Sequence, residues 1–126
     1  MVDILLVDDE PRMLELLTLY LTPIGYNCIC AVSGEEAISH IENRNFKFVL
    51  LDIMMPKMDG YETIRRIRQQ PEFKDLPIVA LTAKAMKGDR EKCLEAGASD
   101  YITKPVNLDD LIWMLRAWLP RVSEGA

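Results

Sequence analysis

Five short apolar runs alternate with longer amphipathic segments, and this alternation restricts the fold more than any other feature of the chain. The runs cover residues 4–7, 28–32, 48–51, 78–81 and 101–102. Since they have no polar side, both faces of each strand must be covered by other parts of the protein. Strands of this kind, alternating with helices, predict a parallel sheet with helices packed on both faces.

The segments between the runs carry the periodicity of amphipathic helices. We expect helices over residues 10–21, 34–41, 61–69, 84–96 and 108–119. Ser33 and Asp59 stand where helix N-caps are needed, and Gly97 suits a helix C-terminus. The length of 126 residues is typical of one domain. We therefore predict one doubly wound α/β domain over residues 1–120, followed by a flexible tail over residues 121–126.

Charge, hydropathy and cysteine usage exclude several function classes. The formal net charge of −5 argues against direct binding of nucleic acid, because phosphate contacts need clustered Lys and Arg. No apolar run approaches the roughly 20 residues of a membrane span, and the first residues lack the pattern of a signal peptide. Cys28 and Cys30 are badly placed for a disulfide in a strand, so we expect reduced cysteines in a cytoplasmic protein.

Polar side chains follow four of the five apolar runs. These are Asp8, Asp9 and Glu10 after the first run, Asp52 after the third, Thr82 after the fourth and Lys104 after the fifth. The carboxyl ends of parallel strands meet at one edge of the sheet, and ligands bind in the crevice there. We therefore expect a single functional site at this edge rather than four unrelated solvated turns.

The chemistry of this set favours phosphoryl transfer. Carboxylates held close together repel one another and need a cation or a raised pKa, and Mg²⁺ prefers such oxygen ligands. The ammonium of Lys104 and the hydroxyl of Thr82 suit phosphoryl oxygens, and a carboxylate can itself accept a phosphoryl group. The chain has no glycine-rich phosphate loop, so ATP is not the expected donor.

The motifs stand in a fixed order along the chain: Asp8-Asp9, Asp52, Leu81-Thr82-Ala83, Tyr101 and Lys104-Pro105. In this order and spacing, over about residues 3–120, they resemble the receiver domain of bacterial two-component response regulators. The resemblance implies a flavodoxin-like sheet of five strands in the order 2-1-3-4-5 with five helices. It also implies a phosphorelay switch whose partner is a histidine kinase or a histidine phosphotransfer protein.

The resemblance also assigns roles to single residues. Asp52 would be the phosphoacceptor. Asp9, Asp52 and the backbone carbonyl of Met54 would bind Mg²⁺ directly, and Asp8 would help through a water molecule. These four residues would form the metal and acceptor site.

A second group would read the phosphoryl group once it is in place. Lys104 would contact the phosphoryl oxygens, and its peptide bond to Pro105 would be cis. Thr82 would move to bond the phosphoryl group, and Tyr101 would then rotate inward. The chain would catalyse its own phosphorylation and dephosphorylation without being an enzyme that turns over a free substrate.

Two other functions use a similar set of residues. An aspartate-nucleophile phosphatase of the haloacid dehalogenase type needs a second Asp two positions after the nucleophile, where this chain has Met54. A pseudo-receiver that only binds a partner usually lacks one of the key residues, and this chain keeps all of them. The switch hypothesis allows two kinds of protein. The chain could be a single-domain regulator, or it could be a receiver module of a hybrid histidine kinase or other relay protein.

The last predicted helix carries a tryptophan away from its apolar face. At about 100° per residue, the expected core face consists of Leu108, Ile112, Leu115 and Leu119, with Leu111 and Trp118 at its margin. Trp113 projects to the opposite side. A large exposed aromatic suits an interface anchor, so we predict partner binding or self-association through the fourth and fifth helices.

Overall fold

The structure, a computed structural model, describes residues 2–83 and 88–119. Its strands are β1 (Val2–Val7), β2 (Tyr26–Ala31), β3 (Phe48–Asp52), β4 (Ile78–Thr82) and β5 (Asp100–Thr103). They form one parallel sheet in the order β2-β1-β3-β4-β5. The predicted fold class and strand order are therefore confirmed.

Five helices connect these strands: α1 (Pro11–Leu21), α2 (Gly34–Asn43), α3 (Gly60–Arg68), α4 (Asp89–Ala96) and α5 (Leu108–Trp118). The capping predictions are confirmed. Ser33 Oγ accepts a hydrogen bond from the backbone N–H of Glu36, and Asp59 Oδ1 accepts one from Glu62. Gly97 ends α4 with a left-handed φ of 114°, which costs glycine little. The predicted tail and residues 84–87 of the fourth predicted helix lie outside the described residues.

The helices form two layers around the sheet. Helices α1 and α5 cover one face and α2, α3 and α4 cover the other, so each face has its own apolar core. The central strands β1, β3 and β4 are almost entirely buried, whereas the edge strands β2 and β5 are only partly buried. In the described part of the chain, no helix is long and apolar enough to cross a membrane.

The apolar face of α5 differs from the prediction. Leu111 and Leu115 are fully buried, whereas Leu108 and Ile112 are only partly buried. The prediction that Leu111 lies at the margin is therefore wrong. Residues four apart form one row on a helix, and α5 turns the 111–115 row towards the sheet, which leaves the 108–112 row to one side.

Candidate functional site

The carboxyl ends of four strands bring the predicted site residues to one edge of the sheet. Asp52 ends β3 and is the register partner of Leu81, and Thr82 ends β4 one residue later. Asp8 directly follows β1 on the other side of β3. Lys104 follows β5, and its backbone N–H donates to the carbonyl of Thr82 over 2.6 Å. The sheet topology alone therefore gathers these side chains.

The Asp52 carboxylate is buried, with 1% of the residue exposed. Its Oδ2 atom accepts a hydrogen bond from Lys104 Nζ over 3.1 Å, and its Oδ1 atom accepts one from the backbone N–H of Met54 over 3.0 Å. A buried carboxylate is tolerated only when it is paired and hydrogen-bonded. Both conditions hold for Asp52, and this is why an apolar strand can end on a charge.

The ammonium group of Lys104 is held in its charged form. Burial lowers the pKa of Lys104, but the hydrogen bond to Asp52 and the charges of Asp52, Asp8 and Glu10 outweigh that effect. As a result, the pKa of Lys104 lies above its ordinary value. A fixed positive charge therefore stands beside the oxygen of Asp52 throughout the neutral pH range.

The Asp8 carboxylate is buried without such compensation. Its Oδ1 atom accepts a hydrogen bond from the backbone N–H of Glu10 over 2.9 Å. Its Oδ2 atom is buried and has no hydrogen-bond partner among the described residues. Burial and, to a lesser extent, the charge of Asp52 raise the pKa of Asp8 to about 6, against the lowering effects of the Glu10 bond and of the Lys104 charge. A cation at this point would remove the imbalance.

The residues that follow β1 offer such a cation a set of oxygen ligands. Carboxylate oxygens of Asp8, Asp9 and Glu10 lie within 4.8 Å of one another, and Asp9 and Glu10 are exposed to solvent. Oxygen donors on an open side, where water can complete the coordination, suit Mg²⁺. The donor set and the unpartnered oxygen of Asp8 therefore fit the expected Mg²⁺. Glu10 was not among the predicted metal ligands, although its place directly after Asp9 was the available signal.

The loop after β3 depends on a close approach of two backbones. A Cβ atom on Gly60 would lie 2.6 Å from Ile53 Cα and 2.7 Å from the carbonyl oxygen of Asp52. The backbone N–H of Gly60 donates to the carbonyl of Ile53 over 2.9 Å. Only glycine lets the start of α3 pack against the end of β3 in this way. The sequence around Asp59 indicated a helix cap but carried no signal for this close approach of two backbones.

The remaining predicted residues lie around the site at different depths. Thr82 is 3% exposed, and the side chain of Met54, at 66% exposed, projects into solvent next to the acceptor. Tyr101 is partly buried against the core on the α2–α4 face. The peptide bond between Lys104 and Pro105 is cis.

Trp113 lies on α5 and is not part of this site. Its side chain is 69% exposed, as the helical periodicity predicts. It lines an open depression of about 400 Å³ together with Asp100, Tyr101 and Asp110. The surface role predicted for Trp113 remains separate from the chemistry at Asp52.

Comparison with known sequences identifies one family. A family profile described as the response regulator receiver domain matches residues 4–116. An uncharacterised 14.6 kDa protein of Leptolyngbya boryana is 40% identical over 116 residues, which are 92% of this chain and 88% of that protein. The transcriptional regulatory protein ResD of Bacillus subtilis is 41% identical over 121 residues, 96% of this chain and 49% of ResD. The chain spans about half the length of this and the other transcriptional regulators it matches.

Solved structures have the same fold. The chemotaxis protein CheY4 of Vibrio cholerae superposes with a TM-score of 0.89 at 28% identity, over 94% of this chain and 99% of CheY4. The receiver domain of the sensor histidine kinase PA1611 of Pseudomonas aeruginosa superposes with a TM-score of 0.85 at 38% identity. That match covers 93% of this chain and 96% of the other, whose structure has a magnesium ion coordinated in the active site cleft.

Proposed function

The chain belongs to the response regulator receiver domain family, and from this membership we propose that it is a phosphorelay switch whose acceptor is Asp52. The observation that carries the proposal is the buried Asp52 carboxylate, which is paired with Lys104 over 3.1 Å and stands beside the uncompensated carboxylate of Asp8. A site built only to stabilise the fold would gain nothing from a second buried carboxylate with no cation paired to it and one oxygen left without a hydrogen bond among the described residues.

The proposed reaction moves one phosphoryl group. An oxygen of Asp52 attacks the phosphorus of a phosphohistidine on the partner protein, the P–N bond breaks and a P–O bond forms. The imidazole leaves with the electron pair of the broken bond and takes up a proton from solvent. Such a transfer depends mainly on positioning and on neutralising the negative charge of the phosphoryl oxygens.

We propose that Mg²⁺ binds directly to Asp9, Asp52 and the backbone carbonyl of Met54, with Asp8 acting through water. When bound, the ion supplies positive charge for both the carboxylates and the incoming phosphoryl group. Glu10 lies in the same acidic group and adds negative charge at its exposed side. The oxygen-only donor set at the end of β1 supports the part of this arrangement that Asp8 and Asp9 form.

The other residues would convert the transfer into a change of shape. Lys104 already stands 3.1 Å from Asp52 Oδ2, so its ammonium meets a phosphoryl oxygen when one is attached there. The Thr82 hydroxyl then bonds the phosphoryl group from the neighbouring strand, and Tyr101 follows by rotating inward from its partly buried position. A local contact of this kind can shift a two-state equilibrium.

The partner that donates the phosphoryl group is a histidine kinase or a histidine phosphotransfer protein. We expect this partner and the receiver domain to meet in the cytoplasm. On the output side, Trp113 would anchor self-association or the binding of a regulated partner. Single-domain regulators and receivers attached to a hybrid kinase or another relay protein are both compatible with this scheme.

The proposal is tested by incubating the protein with acetyl phosphate and following the gain of one phosphoryl group by intact-protein mass spectrometry. We expect labelling in the presence of Mg²⁺, suppression by EDTA and loss in Asp52→Asn. The matched control is Asp109→Asn, an exposed carboxylate of α5, which should label like the wild type. Equal labelling of Asp52→Asn and the wild type would contradict the proposal.

A further inference from the structure

The carbonyl of Met54, which we propose as a Mg²⁺ ligand, belongs to a tight turn directly after β3. The backbone N–H of Met55 donates to the carbonyl of Ile53 over 3.1 Å and closes a three-residue turn with Met54 at its centre. The same Ile53 carbonyl accepts a hydrogen bond from the backbone N–H of Gly60 over 2.9 Å. Because the turn and the first residue of α3 share one acceptor, a shift of α3 at this point displaces the Met54 carbonyl.

The loop between this turn and α3 holds one residue in a conformation that it disfavours. Lys57 has a φ of 65°, in the left-handed region that residues with a side chain rarely adopt. Such a conformation persists only where the surrounding structure imposes it. Because Lys57 is itself exposed, the contacts that impose this conformation belong to its neighbours in the loop.

Met58, the residue after Lys57, packs against Gly34, the first residue of α2. A Cβ atom on Gly34 would lie 2.9 Å from Met58 Sδ and would overlap Thr63 Oγ1. Gly34 is not one of the glycines with a positive φ. Close packing, rather than backbone freedom, therefore requires glycine at this position.

Thr63 carries this contact to the start of α3. Its side chain is fully buried, and its backbone N–H and its Oγ1 both donate to the carbonyl of Asp59, over 3.1 Å and 2.9 Å. Asp59 directly precedes Gly60, whose N–H bonds the Ile53 carbonyl. A continuous series of contacts therefore connects the first residue of α2 with the turn after β3.

From these contacts we propose that Gly34 is a positioning residue of the metal site. Because Gly34 has no side chain, Met58 and the start of α3 pack closely on α2, and the loop that carries the Met54 carbonyl keeps its conformation. This inference rests on the proposed function, because it supposes that this carbonyl binds Mg²⁺. Gly34 does not itself touch the ion, and its effect passes through the loop.

Gly34→Ala should weaken Mg²⁺ binding about tenfold, a loss typical of residues that support metal ligands without touching the metal. The new Cβ displaces Thr63 and Met58 and, through them, the turn. The Kd is measured by titrating the full chain with Mg²⁺ and following the NMR amide shifts of residues 8–10 and 53–55. Labelling by acetyl phosphate should be slower than in the wild type at low Mg²⁺ and should approach the wild-type rate once Mg²⁺ saturates the variant.

A second substitution should restore the binding. Thr63→Ala removes the hydroxyl that the new Cβ would overlap, while the backbone N–H of residue 63 still bonds the Asp59 carbonyl. Thr63→Ala alone and the double variant Gly34→Ala/Thr63→Ala should both bind Mg²⁺ within about threefold of the wild type, which is the non-additivity expected for residues in contact. A general loss of stability does not predict this rescue, because the double variant carries two destabilising changes.

Ile41→Val is the matched control for stability. Ile41 is buried near the C-terminal end of the same helix, so the loss of one methyl group there lowers stability without touching the loop. This variant should bind Mg²⁺ with the wild-type Kd. Circular dichroism verifies that each variant is folded.

Three results would overturn the inference: Gly34→Ala binding Mg²⁺ as tightly as the wild type, the double variant binding as weakly as Gly34→Ala, or Ile41→Val weakening the binding equally. The proposed function fails in a different way. If Mg²⁺ shifts neither residues 8–10 nor residues 53–55 of the wild type, the metal site itself is wrong, and the inference falls with it.

Discussion

The buried carboxylate of Asp8 lowers the stability of the folded protein, and it does so at the functional site. The rise of its pKa from 3.8 to about 6 means that the charged form is disfavoured in the folded protein. The largest cause is burial, and the Oδ2 atom has no hydrogen-bond partner among the described residues. The folded protein therefore carries an unfavourable charge at neutral pH unless a cation binds.

We predict that Asp8→Asn stabilises the metal-free protein and weakens its response to Mg²⁺. The expected gain in the free energy of unfolding is about 3 kcal/mol, because each pKa unit corresponds to about 1.4 kcal/mol and the pKa of Asp8 rises from 3.8 to about 6. In the wild type, Mg²⁺ at ten times its Kd should add about 1.4 kcal/mol by mass action. Urea unfolding with EDTA and with Mg²⁺ measures both effects.

Glu15→Gln is the control for this comparison, because Glu15 is an exposed carboxylate in α1. It should leave both the stability and the Mg²⁺ response unchanged. A wild type that Mg²⁺ does not stabilise, or an Asp8→Asn variant that it stabilises to the same extent, would show that Asp8 does not belong to the metal site.

Asp3 lies near the start of β1, and its pKa is lowered in the folded protein, whereas the pKa of Asp8 is raised. The hydrogen bonds from Arg44, over 2.8 Å, and from Asn27, over 2.9 Å, lower the pKa of Asp3 below 3.8. A carboxyl group with a lowered pKa in the folded state stabilises the protein above its unfolded pKa, and this contribution is lost as the pH falls through the folded pKa.

We therefore predict that Asp3→Asn is less stable than the wild type at pH 7 and that the difference shrinks as the pH falls below about 4. Urea unfolding at a series of pH values measures the difference. Glu72→Gln, at an exposed position, should show no such pH-dependent difference. A gap between Asp3→Asn and the wild type that stays constant from pH 7 to pH 3 would exclude this ion pair as its cause.

At the scale of single residues, the sequence predicted identities better than contacts. Asp8, Asp52, Thr82 and Lys104 were recognisable because each follows an apolar run, and a strand end is a position that the chain itself marks. The pairing of Lys104 with Asp52 and the isolation of Asp8 Oδ2 depend on side-chain directions in three dimensions. No one-dimensional pattern carries that information.

The start of α3 is the element on which the geometry of the acceptor depends most. Gly60→Ala should lower the free energy of unfolding by about 2 kcal/mol, because the new Cβ meets backbone atoms that cannot move away as a flexible side chain would. It should also slow phosphorylation of Asp52, whose carbonyl oxygen would be only 2.7 Å from that Cβ. Chemical unfolding and labelling with acetyl phosphate measure the two effects.

Arg65→Ala provides the comparison within the same helix, since its side chain is 54% exposed. This change should cost less than about 0.5 kcal/mol and leave labelling unchanged. If Gly60→Ala is as stable and as readily labelled as Arg65→Ala, the close approach of α3 to β3 is not required.

Helix α5 has a buried face and an exposed face, and we expect substitutions on the two faces to have different effects on stability and on binding. Leu111→Ala should cost about 2–5 kcal/mol, because Leu111 is fully buried. Trp113→Ala should cost less than about 0.5 kcal/mol, leave labelling at Asp52 intact and weaken self-association or partner binding. Unfolding measurements, sedimentation and pull-down with the cognate kinase measure these outcomes.

Leu19→Ala is the control for the surface effect, because Leu19 is 68% exposed on α1, on a different helix. Sedimentation and partner binding that are unchanged by Trp113→Ala in both phosphorylation states would reduce Trp113 to an exposed residue without a role. The corrected role of Leu111 shows the limit of helical periodicity. The periodicity of 3.6 residues per turn predicts which side of a helix is apolar. The way in which α5 packs on the sheet decides which row of that side lies deepest.

At the scale of the whole molecule, the strand order could be predicted from the sequence. The side-chain contacts between distant parts of the chain could not. Apolar runs alternating with helices favour a parallel sheet, and the strand order followed from the resemblance to receiver domains. Arg68, the last residue of α3, donates hydrogen bonds to the carbonyl of Gly97 and to Ser99 Oγ, which lie about 30 positions further along the chain. They join parts of the chain that only the complete fold brings together.

We predict that one strand-end carboxylate, Asp52, and no other accepts a phosphoryl group. Sodium borohydride reduces an aspartyl phosphate to homoserine, so reduction after labelling marks the acceptor permanently. Peptide mass spectrometry of protein treated with acetyl phosphate and Mg²⁺ should find homoserine in place of Asp52 and intact Asp8 and Asp9. Homoserine at Asp8 or Asp9 with Asp52 unchanged, or no homoserine at any position, would contradict the account.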